Sequence, residues 1–284
     1  MSIDTRHHTD APTRNDRLRQ LGVTAAEVFC VVGTLFGVGV LGTRVEESSG
    51  GALSSEATLL APAGPAFTIW SVIYLGLAAY TVWQWLPGQT TSARHRAIGW
   101  LAAASMVLNA AWLLVTQVGW IWVSVLVILA LTAVLGLLVT RLAALPAETA
   151  VDGAAARSGS PSAVLVERVV VDGTFGAYLG WVCVAACANI TAALVASGVR
   201  PGSPVADIVA VVVIAVAAAV GVVLAQRLGG RLAVAVAIAW GLSWIAVGRL
   251  SSDPRSSVTA VAAVVAAAVV LAATIRQRGR SVPA

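Results

Sequence analysis

Asn109 and Trp112 lie three residues apart inside an otherwise apolar run, and Trp181 and Asn189 lie eight apart inside another. An amide side chain in such a run must hydrogen-bond to protein, because hydrocarbon offers it no partner. An indole adds a flat apolar face for stacking and one N–H donor. Ser105, Asn109, Trp112 and Thr116 follow i, i+4, i+7, i+11 spacing, one stripe of a helix. Trp181, Ala185 and Asn189 follow i, i+4, i+8. Phe67, Trp70 and Tyr74 form a third face at i, i+3, i+7, on a run that opens from the turn residues Pro62, Gly64 and Pro65. Such faces can stack on a flat apolar ligand and orient its polar groups. They serve equally as hydrogen-bonded glue between helices, and spacing leaves both readings open.

Other reactive groups are few. Cys30, Cys183 and Cys187 fall inside apolar runs; the last two share a helical face but read as small packing residues, since no His lies in a run to complete a metal site. His7 and His8 sit in the polar N-terminal segment and His95 in a loop. Glu27 is the one carboxylate well inside a run, expected to snorkel or to pair with an Arg. Asp172 and Asp207 are expected at helix starts, where a carboxylate complements the dipole. There is no phosphate-binding loop, no pair of acid–base carboxylates and no nucleotide fingerprint. No catalytic residue, metal or cofactor is therefore expected.

The elements that carry these residues are membrane helices. Of 284 residues 58% are hydrophobic and only 11% charged, and the mean hydropathy is +0.88. Soluble domains carry about 25% charged residues. Eight spans of roughly the ~20 residues that cross a bilayer are expected: Leu21–Thr43, Pro65–Leu86, Ala97–Val118, Trp120–Leu142, Gly173–Ala196, Val205–Ala225, Leu232–Leu250 and Val258–Ile275. Trp83, Trp85, Trp100, Trp120 and Trp122 lie at span ends and read as interfacial anchors.

The net charge of +5 rests on Arg alone, as the chain has no Lys. Fourteen of the eighteen Arg fall on one side of the spans, in 6–19, 94–96, 141–168, 227–231 and 276–280; Arg44, Arg200, Arg249 and Arg255 fall on the other. The positive-inside rule then places both termini in the cytoplasm and requires an even number of spans. A multi-pass plasma-membrane protein is expected. Topology accounts for the basic charge, so nucleic acid is not expected as a partner.

Three segments resemble one known family. Pro62-Ala-Gly-Pro-Ala-Phe67-Thr-Ile-Trp70-Ser-Val-Ile-Tyr74 resembles the loop and second helix of the tryptophan-rich sensory protein, or translocator protein (TspO/MBR), family. Asn109-Ala-Ala-Trp112 resembles its third-helix Asn-x-x-Trp, and Tyr178-Leu-Gly-Trp181-Val with Ala188-Asn189 resembles its fifth helix. The form looks closest to a longer, diverged branch. The family's Trp-x-Pro-Pro-x-Trp loop is reduced here: Pro62 remains, but Gly64 and Ala66 stand where aromatics are usual. The resemblance covers about residues 21–197, and the last three spans lie beyond it.

The resemblance implies a five-helix bundle whose interior pocket is closed by the loop after the first helix, and ligands such as tetrapyrroles or sterols. The expected fold is thus an all-α integral membrane protein with four parts. Residues 1–20 form a disordered cytoplasmic tail, and 21–197 a five-helix domain with a flexible cytoplasmic loop at 143–166. Residues 198–275 form a three-helix extension, and 276–284 a basic cytoplasmic tail. The expected ligand-binding residues are Phe67, Trp70, Tyr74, Asn109, Trp112, Trp181 and Asn189. The expected partners are the lipid bilayer and a tetrapyrrole or other apolar small molecule, with a homodimer as one oligomeric form. Three functions are open: a sensory or binding protein for a flat apolar ligand, a secondary transporter, and a porphyrin-degrading enzyme.

Overall fold

Thr13 starts the first helix. Its hydroxyl accepts from the Asp16 backbone N–H (3.2 Å) while its own N–H donates to the Asp16 carboxylate (3.0 Å), a reciprocal cap. The computed structural model describes residues 11–145, 147 and 161–281. Helix α1 (Arg14–Gly37) is followed by α2 (Ile69–Trp83), α3 (Ala93–Gln117) and α4 (Ile121–Ala144). Helix α5 comprises Pro161–Glu167, a π-helical segment Arg168–Gly173, and Thr174–Ala196. Helices α6 (Val205–Arg227), α7 (Leu232–Ser251) and α8 (Ser257–Ser281) complete the chain. No strand occurs among the described residues. Eight helices are long and apolar enough to cross a membrane, and side chains such as Val72, Leu75, Leu126 and Val261 are exposed on their outer faces. The protein is a helical, multi-pass membrane protein.

Some expected boundaries shift. Residues 14–20, expected in a disordered tail, are helical, because the Thr13 cap and the pairing of Asp16 with Arg96 (2.8 Å) fix that turn. The first helix stops at Gly37, not Thr43, where Gly39 takes a positive φ and turns the chain. Helical structure also reaches into both ends of the expected loop 143–166 and into the expected C-terminal tail, through Ser281. The rest of that loop lies outside the described residues, as do His7 and His8.

The helices contact one another in a closed order: α1 packs on α3, α3 on α4, α4 on α5, α5 on α2 and α2 back on α1. Outside this ring α7 packs on α5, α8 on α7 and α6 on α8. Small residues set the closest approaches. A Cβ on Gly33 would stand 2.8 Å from Ala110 Cβ, between α1 and α3. A Cβ on Gly180 would stand 2.8 Å from Ala237 Cβ and collide with the Val234 carbonyl, between α5 and α7.

Connections alternate between two ends. At one, the Arg94 guanidinium reaches Asp172 at 2.7 and 2.8 Å and Glu167 at 3.3 Å, while Arg231 also pairs with Asp172. This network ties α3, α5 and α7 together. Asp172 is therefore not at a helix start as expected; the π-helical turn carries it inside α5 to meet both arginines. His95 is likewise not in a loop but in the first turn of α3, buried and hydrogen-bonded to Gln89 (3.0 Å). Trp83 turns inward and donates to Glu167 rather than anchoring at the interface.

Candidate functional site

At the opposite end a cavity of about 40 Å3 lies inside the five-helix ring. The ring supplies its floor: Phe67 from the 3-10 turn before α2, Trp112 from α3, and Trp181, Ala185, Ala188, Asn189 and Ala192 from α5. Its roof is the chain between α1 and α2, through Val45, Leu53, Thr58, Ala61 and Pro62. The lining is apolar apart from a few groups of known partnership. Trp112 Nε1 donates to Asn189 Oδ1 at 2.8 Å. Asn189 Nδ2 donates to Ser124 Oγ at 3.0 Å, and the Ser124 hydroxyl donates onward to the Ile121 carbonyl at 2.7 Å. That chain joins α3, α4 and α5 and satisfies the amide of Asn189, which is 1% exposed.

Trp181 differs. It is 1% exposed, and its Nε1 has no hydrogen-bond partner. Its ring is held edge-on by Phe67 (centroids 5.8 Å, 81°) and by Trp70 (6.2 Å, 88°). A buried indole donor without an acceptor costs about 1–3 kcal/mol.

Four of the seven expected residues, Phe67, Trp112, Trp181 and Asn189, line this cavity. The other three do not; they form a layer behind it. Trp70 stacks on Tyr74 (5.3 Å, 15°) and meets Tyr178 edge-on (5.9 Å, 72°). Asn109 Nδ2 donates to Tyr74 Oη (3.1 Å) and lies 3.4 Å from Cys30 Sγ, while its Oδ1 has no partner. Asn109 and Tyr74 thus act as the interhelical glue that spacing left open, and Trp70 carries contact from that layer to Trp181.

Residues outside the stripes were missed. The roof has no periodicity to reveal it, although Pro62 belongs to the turn that opens the second span. Ala185 belongs to the Trp181–Asn189 stripe, and Ala188 and Ala192 extend that face at helical spacing. Glu27 neither snorkels nor pairs: it is 7% exposed at the middle of α1, and its Oε2 has no hydrogen-bond partner. No cluster of His, Cys, Asp and Glu among the described residues could hold a metal ion.

A family model described as TSPO-like protein matches residues 24–275. The match runs on through α6, α7 and α8, so the similarity extends well beyond the five-helix segment to which the three motifs pointed. No curated protein and no solved structure matches the chain.

Proposed function

The chain belongs to the TSPO-like protein family, and on that premise we propose that it is a membrane-embedded binding or sensory protein for a flat apolar ligand, such as a tetrapyrrole or a sterol-like molecule. One observation carries this reading: Phe67, Trp112 and Trp181 line one interior cavity beside the Asn189 amide. A ligand there would lie among the faces of these three rings. Drug-sized ligand pockets hold about 300–1,000 Å3, against about 40 Å3 here. A cavity of this size holds no tetrapyrrole, so admission of one requires the roof to move. The plasma membrane as location, with both termini cytoplasmic, rests on the Arg asymmetry.

A second reading, secondary transport, draws support from Glu27. A carboxylate buried at mid-helix, with one oxygen lacking a hydrogen-bond partner among the described residues, is the kind of group that couples proton movement to transport. Porphyrin degradation lacks such support, since no acid–base pair faces the cavity.

The test is titration of the purified protein in nanodiscs with protoporphyrin IX, followed by quenching of Trp fluorescence, together with flux in proteoliposomes. Saturable quenching without flux supports a binding protein. Coupled flux supports the transporter, and light-dependent loss of porphyrin absorbance the enzyme. No saturable binding of protoporphyrin IX, haem or cholesterol removes the proposed ligand class.

A further inference from the structure

The roof of the cavity is held by a helix that is not part of the ring. Its first half is tied to α3: Gln117 exchanges hydrogen bonds with the Thr43 backbone (3.0 and 2.7 Å), and Ser49 Oγ donates to the Thr116 carbonyl (3.0 Å). Its second half, residues 55–66, is different. Apart from the local bonds that lead into α2, such as Ile69 N–H to the Ala66 carbonyl, the hydrogen bonds from this half to a helix go to α7 among the described residues. Arg249 Nη2 donates to the Ser55 carbonyl at 2.8 Å, Trp240 Nε1 donates to the Ala66 carbonyl at 2.9 Å, and the Ala63 N–H donates to the Trp244 carbonyl at 3.1 Å.

Arg249 is an unusual residue to find there. It is 1% exposed, and no carboxylate lies within salt-bridge distance of it among the described residues, although the charges of Glu56 and Asp253 act on it from farther off. Its guanidinium is spent on main-chain carbonyls, that of Ser55 and that of Pro254 at 2.8 Å. Trp240 and Trp244, at i and i+4 on α7, meet edge-on at 5.6 Å and set the face on which the roof rests. Gly248 lets the chain come close, so that a Cβ there would stand 3.4 Å from the Ala63 nitrogen.

We propose that α7 is the latch of this cavity. Arg249, Trp240 and the Trp244 carbonyl hold residues 55–66 shut over Phe67 and Trp181, and displacement of α7 along α5 releases that half of the roof while α3 retains the other. The contact with α5 suits such a movement. It is built on Gly176, Gly180 and Gly241 facing Ala233, Ala237 and Val184, a smooth surface of the sort that permits small sliding of packed helices. The three-helix extension thereby gains a role: it sets access to the site. This inference rests on the binding function proposed above for what enters, but not for how the roof is held.

Two variants in nanodiscs test it, Arg249→Gln and Trp240→Phe, the second keeping an aromatic ring while removing the indole donor. Two readouts are taken: amide hydrogen exchange of residues 55–66, and the association rate of protoporphyrin IX from its absorbance. Exchange of 55–66 should accelerate at least about tenfold in Arg249→Gln, equivalent to ~1.4 kcal/mol, with α1, α3 and α4 unchanged, and porphyrin should associate faster. If Arg249→Gln loosens the whole bundle, Trp240→Phe decides: faster exchange confined to 55–66 supports the latch, and unchanged exchange there overturns it. Faster exchange with an unchanged porphyrin on-rate also overturns it, because the roof would not be the entrance. If exchange accelerates but no form of the protein binds porphyrin, the latch stands and the ligand class falls.

Discussion

The indole of Trp112 donates to the Asn189 side chain across 2.8 Å, joining α3 to α5 in the wall of the cavity. Removing Asn189 would leave the Trp112 indole N–H unpaired, whereas Asn189 would keep its bond to Ser124 if Trp112 were removed; both residues line the cavity. Trp112 therefore carries two separable roles, a hydrogen bond between helices and an apolar face.

Replacing Trp112 by Phe takes away much of the indole's stacking face together with the donor. The hydrogen bond itself is worth little in a membrane, about 0.6 kcal/mol on average. Loss of a stacking contact is worth roughly 1–3 kcal/mol by analogy with aromatic stacking on bases. Protoporphyrin IX affinity should fall for Trp112→Phe and hold for Trp120→Phe, since Trp120 is 60% exposed outside the cavity. Equal losses in the two titrations would show that neither is a ligand contact.

Arg94 is buried against Glu167, which is also buried, and against Asp172. Removing one partner from a buried ion pair costs about 3–5 kcal/mol because it strands the other charge. Arg94→Gln should accordingly lower the thermal midpoint, followed by circular dichroism in detergent, far more than Arg231→Gln, whose partner Asp172 retains Arg94. Equal midpoints for the two variants would mean that the network is not the tie between α3 and α5.

Gly180 faces the backbone of α7 at Val234 and the Ala237 methyl. Gly180→Val should push α7 off α5 at a cost on the order of 1–3 kcal/mol, as overpacking does. Gly136 on α4 has open space around its Cα, so Gly136→Ala should be neutral or slightly stabilising. Melting both variants checks the pair; a tolerated Gly180→Val would show that α7 is not packed as closely as described.

Glu27→Gln removes a charge but keeps the shape of a buried side chain whose Oε2 has no partner. The variant should fold and should bind protoporphyrin IX as the parent does. If the protein transports, uptake driven by a proton gradient into proteoliposomes should disappear in this variant alone. Uptake that survives Glu27→Gln would exclude Glu27 as the coupling group.

Reporter fusions within residues 148–160 and after Ala284 should both report cytoplasm, and one at Gly202 the opposite side. The expectation follows from the fourteen-to-four division of Arg. A cytoplasmic signal at Gly202 would invert the topology.

Much of this protein was legible in its residues because a bilayer simplifies the code. Apolar length alone marks a span, and the chain's eight apolar runs became eight helices long enough to cross. One pair of interior faces met as polar atoms in hydrocarbon must: the Trp112 indole donates to Asn189. Periodicity places a side chain on a face, but not at a depth, nor beside a particular neighbour. Tertiary packing alone turned Trp70, Tyr74 and Asn109 into a layer behind the cavity, and left Trp181 without an acceptor. That the loop after the first helix closes the pocket was implied by the family resemblance alone, and the contacts that hold it could not be read, since a loop carries no period and its carbonyls look alike in sequence. Only the folded chain brings Arg249 to Ser55, nearly two hundred positions away, because an arginine buried at a helix end must spend its donors on whatever oxygens the fold presents.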